Sequence, residues 1–274
     1  MKVINNLREY KETPNTISKG KLYLGDICID GLKEDKNRLV RIYLPSNYDS
    51  ANNLSVIYMM DGKNLFDKYT SFVGEWGVDE IIEERLKESK QSYIVVGIDS
   101  AKTDIGRVCE MLPSNKHLAS VDDLPLDLES YGDVLGKFIV EKLKKEVDTL
   151  FKTNKDVSYI GGSSMGGLFS FYLGQKYPSI FKGTLAFSPA FCLYQKDYFK
   201  EELNKINISN HKLYLLVGDV EYENQFVYLT NYVNDYLSKN KYPYVKYIHD
   251  LNGHHNEDFW NKYVEDCLMF FEEN

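Results

Sequence analysis

Nowhere in its 274 residues does this chain carry the roughly 18 consecutive apolar residues that a membrane-crossing helix needs. The N-terminal stretch MKVINNLREYKE likewise lacks the apolar core of an export signal, so a chain that is neither secreted nor membrane-spanning is expected. Cysteine is scarce. Cys28, Cys109, Cys192 and Cys267 lie far apart with no C-x-x-C pair, which excludes the usual zinc spacings and a small disulfide framework and points to a reduced, cytoplasmic protein. Only seven prolines occur, and no Pro/Gly/Ser-rich linker, repeat or low-complexity tract divides the chain, so residues 1–274 are expected to form one domain. Positive charge is also in deficit. With 33 Lys and Arg against 41 Asp and Glu, the net charge of −8 argues against nucleic acid or an anionic membrane as partner. Lys142, Lys144 and Lys145 alternate with Glu141 and Glu146, the pattern of a solvated helix face.

What the chain does have is apolar content, 43%, enough for a large core. Short β-like runs alternate with helical ones. Leu22–Ile29 and Leu39–Leu44 read as a strand pair; Leu54–Met60 and Tyr93–Ile98 are apolar enough to be buried on both faces. Val78–Lys87 has helical periodicity, and Tyr131–Phe151 places Leu135, Ile139, Leu143 and Val147 on one stripe. Strands follow at Thr184–Phe187, Leu213–Val217 and Val245–Ile248, with a last helix from near Asn256. This alternation predicts an α/β fold, a mostly parallel central sheet with helices on both faces. Residues 101–125 and 190–210 fit it badly and are expected to be insertions that shape a pocket.

The segment Val157–Pro178 reads as a strand, a glycine turn and an amphipathic helix, and its turn, Gly162-Ser163-Ser164-Met165-Gly166, matches G-x-S-x-G. In such an elbow the serine is strained and the residues two before and two after it meet neighbouring backbone, so both lack a Cβ. Ser164 has glycine at both places and Ser163 does not, which makes Ser164 the candidate nucleophile. A serine needs a base, and in the elbow's usual chain order acid and histidine follow it. His117 comes too early, His211 precedes the acid-bearing strand, and His249 ends an apparent strand. His254 and His255 follow the turn signal Asn252-Gly253 and stand where the base is required. Adjacent residues point apart and H-E-x-x-H is absent, so this pair does not read as a metal site. The strand Leu213–Val217 runs into three carboxylates, Asp219, Glu221 and Glu223. Glu221 is far enough past the strand to curl back toward the histidine, while Asp219 beside Gly218 suits a turn or cap. For an oxyanion hole, the N–H after the nucleophile is that of Met165, and the loop Asp61–Phe66 offers Gly62 or, preferably, Lys63.

These residues resemble the putative-esterase family of α/β-hydrolases, which includes esterase D and the enterochelin (siderophore trilactone) esterases. The resemblance covers most of the chain from about Leu22 and rests on YMMDGKNLF at Tyr58–Phe66, GEWGVDE at Gly74–Glu80, GGSSMGG at Gly161–Gly167, FSPAF at Phe187–Phe191 and GHHNEDFW at Gly253–Trp260. It implies Ser164 as nucleophile, His255 rather than His254 as base, and Glu221 as acid. Arg107 in RVCEMLP matches a family R-x-x-E-x-x-P element near the pocket, implying a substrate contact; a surface pair with Glu110 is the plain alternative. Trp76, Phe191 and Tyr194 are candidate pocket aromatics, although most tyrosines should simply pack in the core. Lys63, Met60 and Phe191 stand where many relatives carry Gln, His and Trp.

The reading is therefore a serine carboxylic-ester hydrolase acting through an acyl-enzyme on a small or aromatic ester, with neither metal nor organic cofactor. Siderophore trilactone hydrolysis, or acyl transfer to an alcohol, would use the same residues. A non-catalytic binding protein on the same scaffold would be expected to have lost one of them. Oligomeric state is left open by the sequence.

Overall fold

The computed structural model describes residues 2–72, 74–88, 90–120, 124–125, 127–204, 211–221 and 225–273. Glu223 and parts of both expected insertions lie outside these residues. One nine-stranded sheet runs through the molecule in the order β1-β2-β3-β5-β4-β6-β7-β8-β9. Its first edge is antiparallel: β1 (Asn5–Glu9), β2 (Lys21–Cys28) and β3 (Asn37–Leu44), with β3 also antiparallel to β5 (Tyr93–Ile98). From β5 onward all pairings are parallel, through β4 (Leu54–Met60), β6 (Thr153–Ser163), β7 (Phe181–Phe187), β8 (Lys212–Val220) and β9 (Val245–His254). The expected α/β-hydrolase arrangement is thus present. Strand β1 was not anticipated, because NNLRE is exposed throughout and has no apolar alternation.

Side chains of one strand point alternately to opposite faces, and the core divides accordingly. On β4, Val56, Tyr58 and Met60 face one layer while Ile57 and Met59 face the other. The second layer is covered by α1 (Val78–Lys87) and α8 (Glu257–Glu272). Over the first lie α2 (Asp104–Met111), α3 (Gly132–Lys137), α4 (Lys144–Leu150), α5 (Met165–Lys176), α6 (Lys196–Leu203) and α7 (Gln225–Lys239). Helices α2 and α6 occupy the two expected insertions. Between α3 and α4, Phe138–Leu143 form π-helical turns. Leu135, Ile139, Leu143 and Val147 are spaced by four, which on a regular α-helix drifts about 40° per step. The wider turns take up that drift, and all four side chains are buried.

Two elements differ from expectation. The elbow helix α5 is not amphipathic: Met165 through Phe171 are all buried, as befits a central helix that is apolar around its circumference. Asn252-Gly253 is not a turn, since β9 continues through it to His254. Among the described residues no helix is long and apolar enough to cross a membrane.

Candidate active site

Ser164 sits between β6 and α5 with φ 56° and ψ −120°, a region unfavourable for a residue with a Cβ. The strain is held by neighbours on three sides. Its N–H donates to Phe187 O at 3.0 Å, and its carbonyl accepts from Leu168 N at 3.0 Å and Ala190 N at 2.9 Å. A Cβ on Gly162 would lie 2.8 Å from the backbone of Gly166, and one on Gly166 would lie 3.0 Å from Met60. The backbone contact at Gly162 leaves no room for a Cβ, and the Met60 contact at Gly166 is tight, in keeping with the G-x-S-x-G spacing.

The next strands each end in a side chain of the same cluster. Ser188 follows β7, Glu221 follows β8 and His255 follows β9. Glu221 is buried and saturated with donors: Gly218 N–H at 3.0 Å and Ser188 Oγ–H at 2.6 Å reach Oε1, and His255 Nδ1 lies 3.3 Å from Oε2. Ser188 in turn accepts Trp260 Nε1–H at 2.9 Å. The imidazole is wedged by Phe226, 4.7 Å between ring centres, and by the edge of Trp260 at 5.1 Å. His254 is exposed and points elsewhere. Asp219 is paired with a different histidine, its Oδ1 lying 3.0 Å from His249 Nε2. Just beyond His255, Asn256 caps α8 by accepting Phe259 N–H at 3.0 Å.

Met165 is the first residue of α5, where backbone N–H groups have no partner within the helix. Lys63 lies in a single 3₁₀ turn, Gly62–Asn64, whose first bond is Asn64 N–H to Asp61 O at 2.9 Å. Its own N–H precedes that bond and is left over by the same geometry. Asp61, at φ 57° and ψ 49°, starts this turn and is gripped by Arg107, Nε to Oδ1 and Nη2 to Oδ2, both 2.7 Å. Burial pushes the Asp61 carboxyl upward, but the Arg107 charge, its hydrogen bonds and one from Ser100 outweigh it and hold the group below its ordinary value. Arg107 is thus tied to the Asp61–Asn64 turn and not to Glu110, which pairs with Arg38 at 2.6 Å in the interior. Glu257 lies beneath the same turn and accepts Asn64 Nδ2–H at 2.9 Å. Burial raises its pKa, and the charge of Asp61 adds to the rise.

The aromatics are placed differently from the sequence reading. Trp76 is buried, stacked on Phe187 at 5.4 Å and tilted against Trp260 at 5.6 Å. Phe191 is buried among Phe171 and Phe199, and Tyr194 is closed off with its hydroxyl on Ser114. Trp76 lies in one core layer and Phe191 and Tyr194 in the other, and all three are buried away from any ligand. A cleft of about 470 Å³ lined by Asn37, Lys63, Ser100 and Lys102 adjoins the Gly62–Asn64 turn but includes none of Ser164, Glu221 or His255. Ser188, Asp61 and Glu257 escaped sequence reasoning. Ser188 lies in the FSPAF motif, and its φ of 40° is invisible without the fold.

Ser164, Glu221 and His255 arrive in chain order just past the ends of β6, β8 and β9, the arrangement of an α/β-hydrolase. The chain belongs to the putative-esterase family, whose model matches residues 33–263, and it is an esterase. It is 28% identical over 248 residues, covering 80% of this chain and 83% of the relative, to an acetyl esterase of Caldicellulosiruptor saccharolyticus. The BES protein of Bacillus cereus superposes with a TM-score of 0.71 at 18% identity, covering 96% of this chain and 99% of that one. Siderophore hydrolase EstA of Aspergillus nidulans gives 0.70 at 17% identity, with 95% and 96% covered. At such identities the two structures share the fold.

Proposed function

We propose that the protein hydrolyses small carboxylic esters through an acyl-enzyme on Ser164. The observation that carries this reading is the Glu221–His255 pair, 3.3 Å apart with the acid buried and held by Ser188 and Gly218, at the same end of the sheet as the strained elbow serine. Binding Nδ1–H to Glu221 leaves Nε2 as the nitrogen that takes the Ser164 proton. Ser164 Oγ attacks the ester carbonyl, and the Met165 and Lys63 N–H groups receive the developing oxyanion. His255 then protonates the departing alcohol, and later takes a proton from the water that releases the acid. Arg107 acts through Asp61, fixing the turn that carries Lys63. The small acyl group is supported by the acetyl esterase relative. The absence of any exposed Trp76 or Phe191 face leaves an aromatic preference without those two supports. Four free thiols suit a reducing compartment such as the cytoplasm.

The test is turnover of a panel running from p-nitrophenyl acetate through longer acyl esters to a catecholate trilactone, with wild type and Ser164→Ala, alongside labelling by a fluorophosphonate. Wild type should favour the short esters and label on Ser164. Undiminished labelling of Ser164→Ala would overturn the nucleophile. Preference for the trilactone would transfer the protein to the siderophore esterases with the same machinery, and acyl transfer would show as ester product when alcohol is added.

A further inference from the structure

The GEWGVDE motif is not used by the reaction, yet it builds an unusual cluster. Gly77, at φ 60°, reverses the chain so that Glu75 meets the first turn of α1. One carboxylate oxygen each from Glu75, Asp79 and Glu80 then lies within 4.8 Å of the others. A cluster of acids is by itself unremarkable at a protein surface. Here, however, Asp79 is 0% exposed. Its Oδ2 accepts Ser18 N–H at 2.8 Å, while its Oδ1 and Oε2 of Glu80 are buried with no donor from the rest of the protein, only a proton the two carboxyls would share. Thr16 Oγ1 lies 3.0 Å from both Glu75 carboxylate oxygens, but the charges bearing on Glu75 and Asp79 are those of Glu80 and Asp67, all acidic.

Buried polar atoms are almost always satisfied, and a buried carboxylate oxygen without a donor is strongly penalised. The N-terminus of α1 offers the equivalent of about half a positive charge, too little for three carboxylates. We propose that Glu75, Asp79 and Glu80 form a binding site for a hard divalent cation of the calcium type. The donor set is all oxygen, without histidine or cysteine, which selects among Mg²⁺, Ca²⁺ and Mn²⁺. Several protein carboxylates around one ion suit Ca²⁺, whereas Mg²⁺ keeps most of its waters and takes one or two. The ion has no part in the ester chemistry. It would fasten the loop that carries Trp76, whose ring stacks on Phe187 and leans on Trp260 beneath the acid and histidine.

Calorimetric titration of Ca²⁺ into EDTA-treated, desalted protein tests this directly, paired with thermal unfolding in Ca²⁺ and in EDTA. The expected result is one saturable site per chain and a Tm that rises with Ca²⁺ concentration. Glu75→Gln and Glu80→Gln should each weaken binding by at least the roughly tenfold that even an outer partner of a metal site commands. No saturable heat and an unchanged Tm in wild type would overturn the proposal, leaving a proton shared between Asp79 and Glu80 as the occupant. Unaltered affinity in both variants would overturn it too, by placing the ion elsewhere. The wild-type titration decides independently of whether any variant folds.

Discussion

Two histidines at the C-terminal edge of the sheet each meet a carboxylate, and burial separates them. The His249–Asp219 side chains are 27% and 41% exposed, where an ion pair contributes about 0–1 kcal/mol. The His255–Glu221 side chains are 14% and 0% exposed, so the charge that forms on the imidazole is met by a carboxylate that water does not reach. Glu221→Gln should therefore lower kcat by on the order of 10⁴, the loss known from a comparable triad. Asp219→Asn should leave kcat nearly unchanged. Measuring the two side by side checks the assignment, and the reverse ranking would exchange the roles. Ser188 is a positioning residue in the same chain of bonds, accepting Trp260 Nε1–H and donating its own Oγ–H to Glu221 Oε1. Hydrogen bonds to charged groups are worth about 1.5–3 kcal/mol, so Ser188→Ala should cost roughly 10- to 100-fold in kcat/KM. A merely structural serine would leave the pH–rate profile in place. Here the acidic limb should shift, and Ser188→Thr should restore part of it.

The element that most constrains this edge is β9. Its Asn252-Gly253 pair looks like a turn from sequence because Asn-Gly commonly is one. In the fold Gly253 is needed for packing instead: an added Cβ would lie 2.4 Å from the Phe259 ring and 2.7 Å from the Cα of Gly218. Backbone of β8 and β9 thus comes together just before the acid and the histidine. Gly253→Ala should destabilise the protein by about 1–3 kcal/mol, the usual cost of overpacking, measurable by urea denaturation. Activity should fall further than stability alone explains, since Glu221 and His255 directly follow the two strands being forced apart. The buried strands and the Leu135–Val147 stripe were legible in the sequence, because apolar periodicity reports directly on which face is covered. The exposed β1 and helices α2 and α6 were not, since runs of five to eight residues are too short to tell from irregular loop by pattern alone.

At the scale of the whole molecule, stability should depend on pH through His211. It is buried between Thr184 Oγ1, 2.9 Å from Nε2, and Phe181 O, 2.8 Å from Nδ1. Burial lowers its pKa from 6.5 to about 4. The folded state therefore favours neutral imidazole, whose contribution is complete above pH 6.5 and is lost as pH falls toward 4. A drop of that size, from 6.5 to about 4, corresponds to roughly 3 kcal/mol. Unfolding free energies at pH 7 and pH 4.5 should show most of it in wild type, and less in His211→Asn. What sequence alone determined is local: a serine between two glycines, alternating strands and helices, and the chain order of the elbow serine, the carboxylates after β8 and the histidine pair after them. Which carboxylate serves which histidine was decided only in three dimensions. Asp219 and Glu221, two residues apart, would share one face of a regular strand. A register shift between Gly218 and Val220 breaks that alternation, turning Glu221 inward to His255 and leaving Asp219 to His249. Arg107 likewise finds Asp61 because β5 and β4 lie side by side, although an intervening helix separates them in the chain. Periodicity encodes which face is buried; partners far apart in sequence are set by the lateral order and register of strands, which no local pattern contains.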